Sequence, residues 1–179
     1  MVIDVLIFEK LIKNEFCDVV KPTIGSIVKV ALVGGADHTG IYIGNNKIVE
    51  LANVNGVATV RIVSAEKFIE GDDLIGRIGL CIYVACKQDR NGNCIAIGSR
   101  DIARRARAAV GQTSEYHLIF NNCHMFTEYC ITGEKDGLSG ILLGVECALD
   151  KQFIKNDYER LWDMWRSTGA CRGKDPRFS

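Results

Sequence analysis

The chain from residue 25 to residue 65 consists of short runs rich in β-branched residues, separated by Gly and Asn positions. Runs of this length that are bounded by turn residues are typical of β-strands. Turns are expected at Asn45–Asn46 and at residues 55–57, because Asn and Gly tolerate positive φ. The pattern predicts an antiparallel meander of the segments GSIVKVALV, HTGIYIG, KIVELANV and ATVRIVSA.

Further along the chain the hydrophobic period changes to that of a helix. SRDIARRARAAVG has Ser99 or Asp101 in position to cap a helix and Gly111 in position to end it. NCHMFTEYCITG predicts a second helix that ends at Gly133. Three further segments are LIGRIGLCIYVACK, predicted as one or two strands, YHLIF, predicted as a short strand, and YERLWDMWRS, predicted as a helix packing through Leu161, Trp162 and Trp165.

This order of elements predicts an α+β fold, in which a small antiparallel sheet packs with helices that follow it in the chain. A chain of 179 residues with 47% hydrophobic content can build one core, so residues 1–179 are expected to form a single domain. A helical C-terminal extension is expected over about residues 134–179. The N-terminal segment fits either a helix or a strand.

Charge and hydropathy narrow the function. Lys plus Arg and Asp plus Glu number 22 each, so the formal net charge is zero and nucleic acid is not an expected partner. MVIDVLIFEKLIKNEF lacks the basic start and unbroken apolar stretch of a signal peptide. LSGILLGVECAL is far shorter than the roughly 20 residues of a spanning helix. We therefore expect a cytoplasmic protein without a transmembrane anchor, which still allows peripheral contact with a membrane.

The chain has eight cysteines, and in a reducing compartment these are expected to be free thiols. None belongs to a C-x-x-C pair, and none is spaced with histidines as zinc ligands usually are. Neither a metal nor an organic cofactor is therefore expected. Cys81 and Cys86 lie in an apolar run, where cysteine behaves as a small buried hydrophobic residue.

Cys123 differs from the other cysteines because it stands at a predicted helix start. With Asn121 or Asn122 as N-cap, Cys123 falls in the first turn of the second helix. Unpaired N–H groups and the positive end of the helix dipole stabilise a thiolate at this position and lower its pKa. The same N–H groups can hold an oxyanion that forms on a carbonyl attacked by the sulfur. A buried, inert thiol remains the alternative.

A nucleophilic cysteine needs a base, and the histidines of the chain are His38, His117 and His124. Adjacent helical side chains point about 100° apart, so His124 does not readily face the Cys123 sulfur. His38 and Glu50 lie on two strands joined by a tight turn and can be cross-strand neighbours. Glu50 is then expected to accept the Nδ1–H of His38 and to stabilise its imidazolium. His117 and His124 are expected to be structural or exposed.

Four segments of the chain resemble the lecithin:retinol acyltransferase-like family in order and spacing. They are GSIVKV, HTGIYIG with a polar residue twelve positions after its histidine, the helix ending AVGQ, and NNCHMF. That family includes the H-rev phospholipase/acyltransferases and belongs to the NlpC-type, circularly permuted papain-like thiol enzymes. The resemblance covers about residues 25–133. It implies Cys123 as nucleophile, His38 as base and Glu50 as third polar group. Tyr42 matches a tyrosine of the family pattern, and Asn122 precedes the nucleophile as a second supporting residue.

The resemblance implies a thiol acyltransferase or hydrolase that acts on an ester or amide of an acyl lipid through an acyl-cysteine thioester. Two alternatives stay open: a thiol amidase or peptidase of the wider superfamily, and a non-catalytic binding module that keeps the fold. The chain departs from the lipid-active branch at two positions. Glu50 stands where that branch has a second histidine. After the cysteine the branch has Glu-His-Phe, whereas this chain has His124, Met125 and Phe126.

Overall fold

The structure is a computed structural model that describes residues 20–32, 36–71, 81–115, 122–136, 139–154 and 160–165. The strands in these residues are β1 Ile27–Ala31, β2 Asp37–Gly44, β3 Lys47–Val54, β4 Val57–Ser64, β5 Tyr83–Gln88, β6 Cys94–Ala96, β7 Thr113–Glu115 and β8 Arg160–Met164. The helices are α1 Ala65–Glu70, α2 Arg100–Ala109, α3 Cys123–Thr132 and α4 Leu142–Phe153. This content confirms the α+β prediction.

The strands form one antiparallel sheet in the order β6-β5-β1-β2-β3-β4-β7, with β8 paired to β5. Its centre is the predicted meander of β1 to β4. The turn between β2 and β3 has positive φ at Asn45 and Asn46, with values of 51° and 59°. The turn between β3 and β4 has positive φ at Asn55 and Gly56, which matches the right-handed twist of the strands it joins.

Two predicted helices, α2 before the candidate nucleophile and α3 beginning at it, are confirmed together with their caps. Ser99 caps α2 by accepting a hydrogen bond from the N–H of Ile102. Asn122 caps α3, and Gly133 ends it in the left-handed conformation with φ 81°. This conformation favours glycine, which has no Cβ to clash with the preceding turn.

The sheet is covered on both faces. Ile41 and Val49 belong to a cluster on one face, where Ile102 of α2, Phe126 of α3 and Leu149 of α4 are buried. A second cluster on the other face includes Phe68 of α1, Trp165 and the side chains of Val28, Tyr42 and Ile48. The central strands β2 and β3, which carry candidate site residues, are therefore buried on both sides.

The predicted helix in YERLWDMWRS is wrong for the residues that the structure describes, because residues 160–164 form β8. Leu161, Asp163 and Trp165 alternate with Trp162, and this period of two suits a strand along the free edge of β5. Within the predicted helical extension, α4 is helical. The short helix α1 and the strand β7 were not predicted.

Several predictions fall on residues outside the described part of the chain. These are the N-terminal segment, the strand YHLIF, His117 and Asn121. Cys81 is disulfide-bonded, so the expectation that every cysteine is a free thiol is wrong for this residue. The described cysteines that are not disulfide-bonded are Cys86, Cys94, Cys123, Cys130 and Cys147. None of the described helices is long and apolar enough to cross a membrane.

Candidate active site

His38 and Glu50 are joined by a hydrogen bond between adjacent strands. The Nε2 atom of His38 lies 2.9 Å from Oε2 of Glu50, and both side chains are buried. Gly40 is the direct partner of Glu50 across the β2–β3 ladder, so His38 is its diagonal neighbour on the same face. The orientation of the ring differs from the expectation, because Glu50 contacts Nε2 and not Nδ1.

The His38 ring is held by its surroundings. The ring of Phe68 in α1 packs against it, with 5.2 Å between the two ring centroids. A side chain at Gly40 would come within 2.7 Å of the Cγ2 atom of Ile48 and 2.9 Å of the Phe68 ring. The absence of a side chain at Gly40 therefore lets α1 pack closely on β2 beside the His38–Glu50 pair.

Arg61 completes the ionic arrangement around Glu50. Its Nε and Nη2 atoms donate to Oε1 of Glu50 at 2.9 and 2.7 Å, while Oε2 contacts His38. Glu50 and Arg61 are direct partners in the β3–β4 ladder. We did not single out Arg61 in the sequence, although the Asn55–Gly56 turn predicts this register. Because Glu50 is completely buried, it needs such partners to remain ionised.

Cys123 is the first residue of α3, as the sequence predicted. The side-chain oxygen of Asn122 accepts hydrogen bonds from the N–H groups of His124 and Met125, each at 3.0 Å. The side-chain nitrogen of Asn122 donates to the carbonyl of Gly140 at 2.8 Å, which fixes the cap. Asn122 therefore orients the helix start and occupies two of its N–H groups. Among the described residues, the N–H of Cys123 itself has no partner.

The thiol of Cys123 is in hydrogen-bonding contact with His38. Because Glu50 occupies Nε2, the ring nitrogen that faces the sulfur is Nδ1. Burial raises the pKa of Cys123. The charge of His38, the hydrogen bond with His38 and the hydrogen bonds with Thr39 together lower it by more than burial raises it, so the pKa falls below its ordinary value of 9.0. The structure thus brings Cys123, His38 and Glu50 into one hydrogen-bonded chain.

Thr39 links β2 to the start of α3, and we did not single it out in the sequence. Its hydroxyl lies 3.0 Å from the hydroxyl of Thr127 and 3.2 Å from Nδ1 of His124. It also donates to the carbonyl of Cys123 at 3.3 Å. The residue is completely buried, so these contacts are shielded from water. Thr39 therefore positions the first turn of α3 against the strand that carries His38.

His124 lies beside these residues, but its imidazole is uncharged at neutral pH. Burial and then the charge of His38 lower the pKa of His124 to about 4, against smaller raising effects from Asp37. A neutral imidazole with so low a pKa is a poor base near pH 7. Its Nδ1 contact with Thr39 makes it part of the packing around the helix start, in agreement with the structural role expected for it.

Two features differ from a fully open site. Cys123 is only 6% exposed, whereas a substrate carbonyl needs access to the sulfur. Tyr42 is buried and packs edge-to-face on Trp165 with 5.1 Å between ring centroids. Among the described residues, no hydrogen bond joins the Tyr42 hydroxyl to Cys123, His38 or Glu50. Tyr42 therefore packs in the core of the sheet.

A cavity of about 310 Å³ lies beside α3 on the face of the sheet covered by α2 and α3. Its lining is mixed: Leu51, Val60 and Phe126 are among the apolar residues, and Gln112 and Lys135 are among the polar ones. Met125 and Phe126, on the helix that begins at Cys123, also contact it. The cavity is large enough to hold an apolar chain, and the Cys123 side chain is not part of its lining.

Taken together, the four ionisable groups alternate in sign when the thiol is ionised and His38 is protonated. The order is Cys123, His38, Glu50 and Arg61 along consecutive contacts. Such an arrangement keeps a reactive thiolate next to a proton donor in a buried setting, which is what nucleophilic attack on a carbonyl requires.

Two comparisons with known proteins find relatives of this chain. The family model described as lecithin retinol acyltransferase matches residues 20–136. The human protein phospholipase A and acyltransferase 2 is 25% identical over 135 residues, which cover 72% of this chain and 83% of that protein. The matched range contains every candidate site residue from His38 to Cys123.

Proposed function

The chain belongs to the lecithin retinol acyltransferase family, and on this premise we propose that it is a cysteine-dependent acyltransferase or hydrolase acting on an ester or amide of an acyl lipid. The observation that carries the proposal is the hydrogen-bonded chain from Cys123 through His38 to Glu50. Membership in the family and the match to a phospholipase A and acyltransferase support acyl transfer as the reaction.

The first half of the reaction uses the base and the thiol. His38 takes the thiol proton at Nδ1, and the Cys123 sulfur attacks the acyl carbonyl to form a tetrahedral intermediate. Glu50 accepts the hydrogen bond of Nε2–H and stabilises the imidazolium that results. The intermediate collapses by breaking the bond to the leaving group, which takes the proton from His38. The acyl group is then a thioester on Cys123.

The second half of the reaction reverses these roles. Water or an acceptor amine or alcohol loses its proton to His38 and attacks the thioester carbonyl, and Cys123 leaves as a thiolate. Water yields a hydrolase and another nucleophile yields a transferase.

The negative charge on the intermediate needs hydrogen-bond donors. Because Asn122 occupies the N–H groups of His124 and Met125, the donor that remains in the described first turn is the N–H of Cys123. The positive end of the α3 dipole lies at the same place and adds to the stabilisation. This narrows the expected oxyanion donor from the helix-start amides in general to one amide of the nucleophile itself.

The acyl lipid is favoured as donor by two observations beyond the site. The relative named above carries phospholipase A in its name. The apolar part of the cavity beside α3, formed by residues such as Leu51, Val60 and Phe126, offers a place for the acyl chain close to the nucleophile's helix. We also propose that the fold is a circularly permuted papain-like one. In this arrangement the strand that carries the base His38 precedes the helix that carries the nucleophile Cys123.

We expect intact-mass spectrometry to show one acyl adduct after incubation with mixed phospholipids. A single addition equal to an acyl chain, located on Cys123 by peptide mapping and removed by hydroxylamine, is the expected result because the thioester precedes release. Acyl-peptides are offered in a parallel reaction. An adduct from the peptides and none from phospholipids would replace the lipid donor with an amide donor. No adduct from either, with unchanged mass throughout, would favour a binding module.

The Glu50→Gln variant is expected to lower kcat on the order of 10²-fold with little change in KM. Gln can still accept the Nε2–H of His38, but it removes the charge that stabilises the imidazolium and leaves Arg61 without its anionic partner. Steady-state kinetics with the acyl donor that the intact-mass experiment identifies measure this effect. The matched control is Glu70→Gln, since Glu70 is exposed at the end of α1. A wild-type rate in correctly folded Glu50→Gln would show that Glu50 does not act on His38.

A further inference from the structure

Two thiols and a carboxylate meet at the edge of the sheet that lies away from the candidate active site. They belong to Cys86 of β5, Cys94 of β6 and Asp163 of β8. Their three ligand-type atoms all lie within 4.8 Å of one another. The sequence did not indicate this group, because its members are separated in the chain and fit no short cysteine motif.

The registers of three neighbouring strands bring these side chains together. Cys86 pairs with Ala96 and Gln88 pairs with Cys94 across β5 and β6, which makes the two thiols diagonal neighbours. Cys86 pairs with Leu161 on the other side, where Asp163 is the diagonal neighbour. The group therefore spans β6, β5 and β8, and backbone pairing fixes its geometry before any ligand binds.

Burial makes the group unusual. Cys86 is completely buried, Asp163 is 5% exposed, and Cys94 is half-buried and gives access from solvent. Among the described residues, no Lys, Arg or His side chain forms an ion pair with Asp163. Its contact is the thiol of Cys86, which donates to Oδ2 at 3.7 Å. A buried carboxylate without a cation is costly, and a bound cation removes that cost.

We propose that Cys86, Cys94 and Asp163 bind one thiophilic divalent cation, for which Zn²⁺ is the best match. Zinc takes thiolate and carboxylate ligands at about 2.3 and 2.0–2.2 Å, which places the ligand atoms of a tetrahedral site roughly 3.5–3.8 Å apart. The separation of 3.7 Å between the Cys86 sulfur and the Asp163 oxygen agrees with this spacing. Binding releases the two thiol protons, and water supplies the fourth ligand.

The consequence of occupancy is structural. The cation joins β6 and β8 to β5, and so stabilises the edge to which the C-terminal strand is paired. Its ligands take no part in the proposed acyl transfer. The metal and the proposed reaction can therefore be tested independently.

The test uses full-length protein carrying Cys123→Ala and Cys147→Ala, which remove the candidate nucleophile and an exposed thiol. Metal is stripped under reducing conditions, and Co²⁺ is titrated while thiolate-to-cobalt absorption is recorded. Saturation at one Co²⁺ per chain, and its displacement by one Zn²⁺, is the expected result. Zinc at about 100-fold above its Kd is expected to raise Tm by roughly 5–10 °C.

Two substitutions keep the test decisive if one of them perturbs folding. Cys94→Ser alters the half-buried ligand, and Asp163→Asn removes the carboxylate charge with little change in volume. Each is expected to weaken Zn²⁺ binding at least tenfold and to reduce the Tm shift, whereas exposed Asp136→Asn leaves both unchanged. Equal binding in all variants would identify adventitious metal. A disulfide between Cys86 and Cys94 that persists under mildly reducing conditions would identify a redox pair. Either result overturns the proposal.

Discussion

Cys123→Ala is expected to lower turnover of the acyl donor by at least about 10⁴-fold and to abolish the acyl adduct, with the fold intact. No other described thiol has the same surroundings. Burial raises the pKa of Cys130 to about 12 despite the nearby charge of Arg105, so Cys130 stays protonated and inert. His38 lowers the pKa of Cys123 below its ordinary value, which favours the thiolate there relative to the other buried thiols.

Competitive alkylation measures the same difference without any substrate. Iodoacetamide is expected to label Cys123 before the buried Cys86 and Cys130, since alkylation requires the thiolate. Cys147 is exposed and labels by access alone, so Cys147→Ala serves as the control variant with undiminished turnover. Equal rates of labelling at Cys123 and Cys130, or an acyl adduct in Cys123→Ala, would contradict the proposed nucleophile.

The central part of the fold and the site could be predicted because they depend on local signals. The Asn45–Asn46 turn pairs β2 with β3, which brings His38 and Glu50 onto adjacent strands. A register shift between Tyr42 and Gly44, which the turn does not predict, places Glu50 opposite Gly40 and so on the same face as His38. Asn122 and Gly133 delimit α3, so Cys123 had to stand at a helix start. The same argument applied to the Asn55–Gly56 turn also predicts Arg61 opposite Glu50.

The parts that could not be predicted depend on contacts between segments distant in the chain. The alternation of YERLWDMWRS fits a helix stripe or an edge strand, and the free edge of β5 decides in favour of β8. The hydroxyl of Thr39 meets Thr127 only because α3 packs on β2, and no residue near Thr39 in the chain signals this contact. The group of Cys86, Cys94 and Asp163 likewise exists only once three strands have paired.

The His38→Gln variant is expected to lower turnover by roughly 10³–10⁴-fold and to raise the pKa of Cys123. Burial by itself raises the pKa of this thiol, and the charge and hydrogen bond of His38 outweigh that effect in the wild type. Gln keeps a donor for Glu50 but carries no charge. Burial is then opposed by the hydrogen bonds from Thr39 alone, so the pKa of Cys123 is expected to rise above its wild-type value.

The rate of Cys123 alkylation as a function of pH checks this sign directly. The rate rises with pH as the thiol ionises, so we expect a midpoint below 9.0 in the wild type and a higher midpoint in His38→Gln. His124→Gln provides the comparison, because the pKa of His124 is about 4 and its neutral ring adds no charge near the sulfur at neutral pH. Its midpoint is expected to stay with the wild type. An unchanged midpoint in His38→Gln, or a larger shift in His124→Gln, would remove His38 as the partner of Cys123 and with it the proposed base.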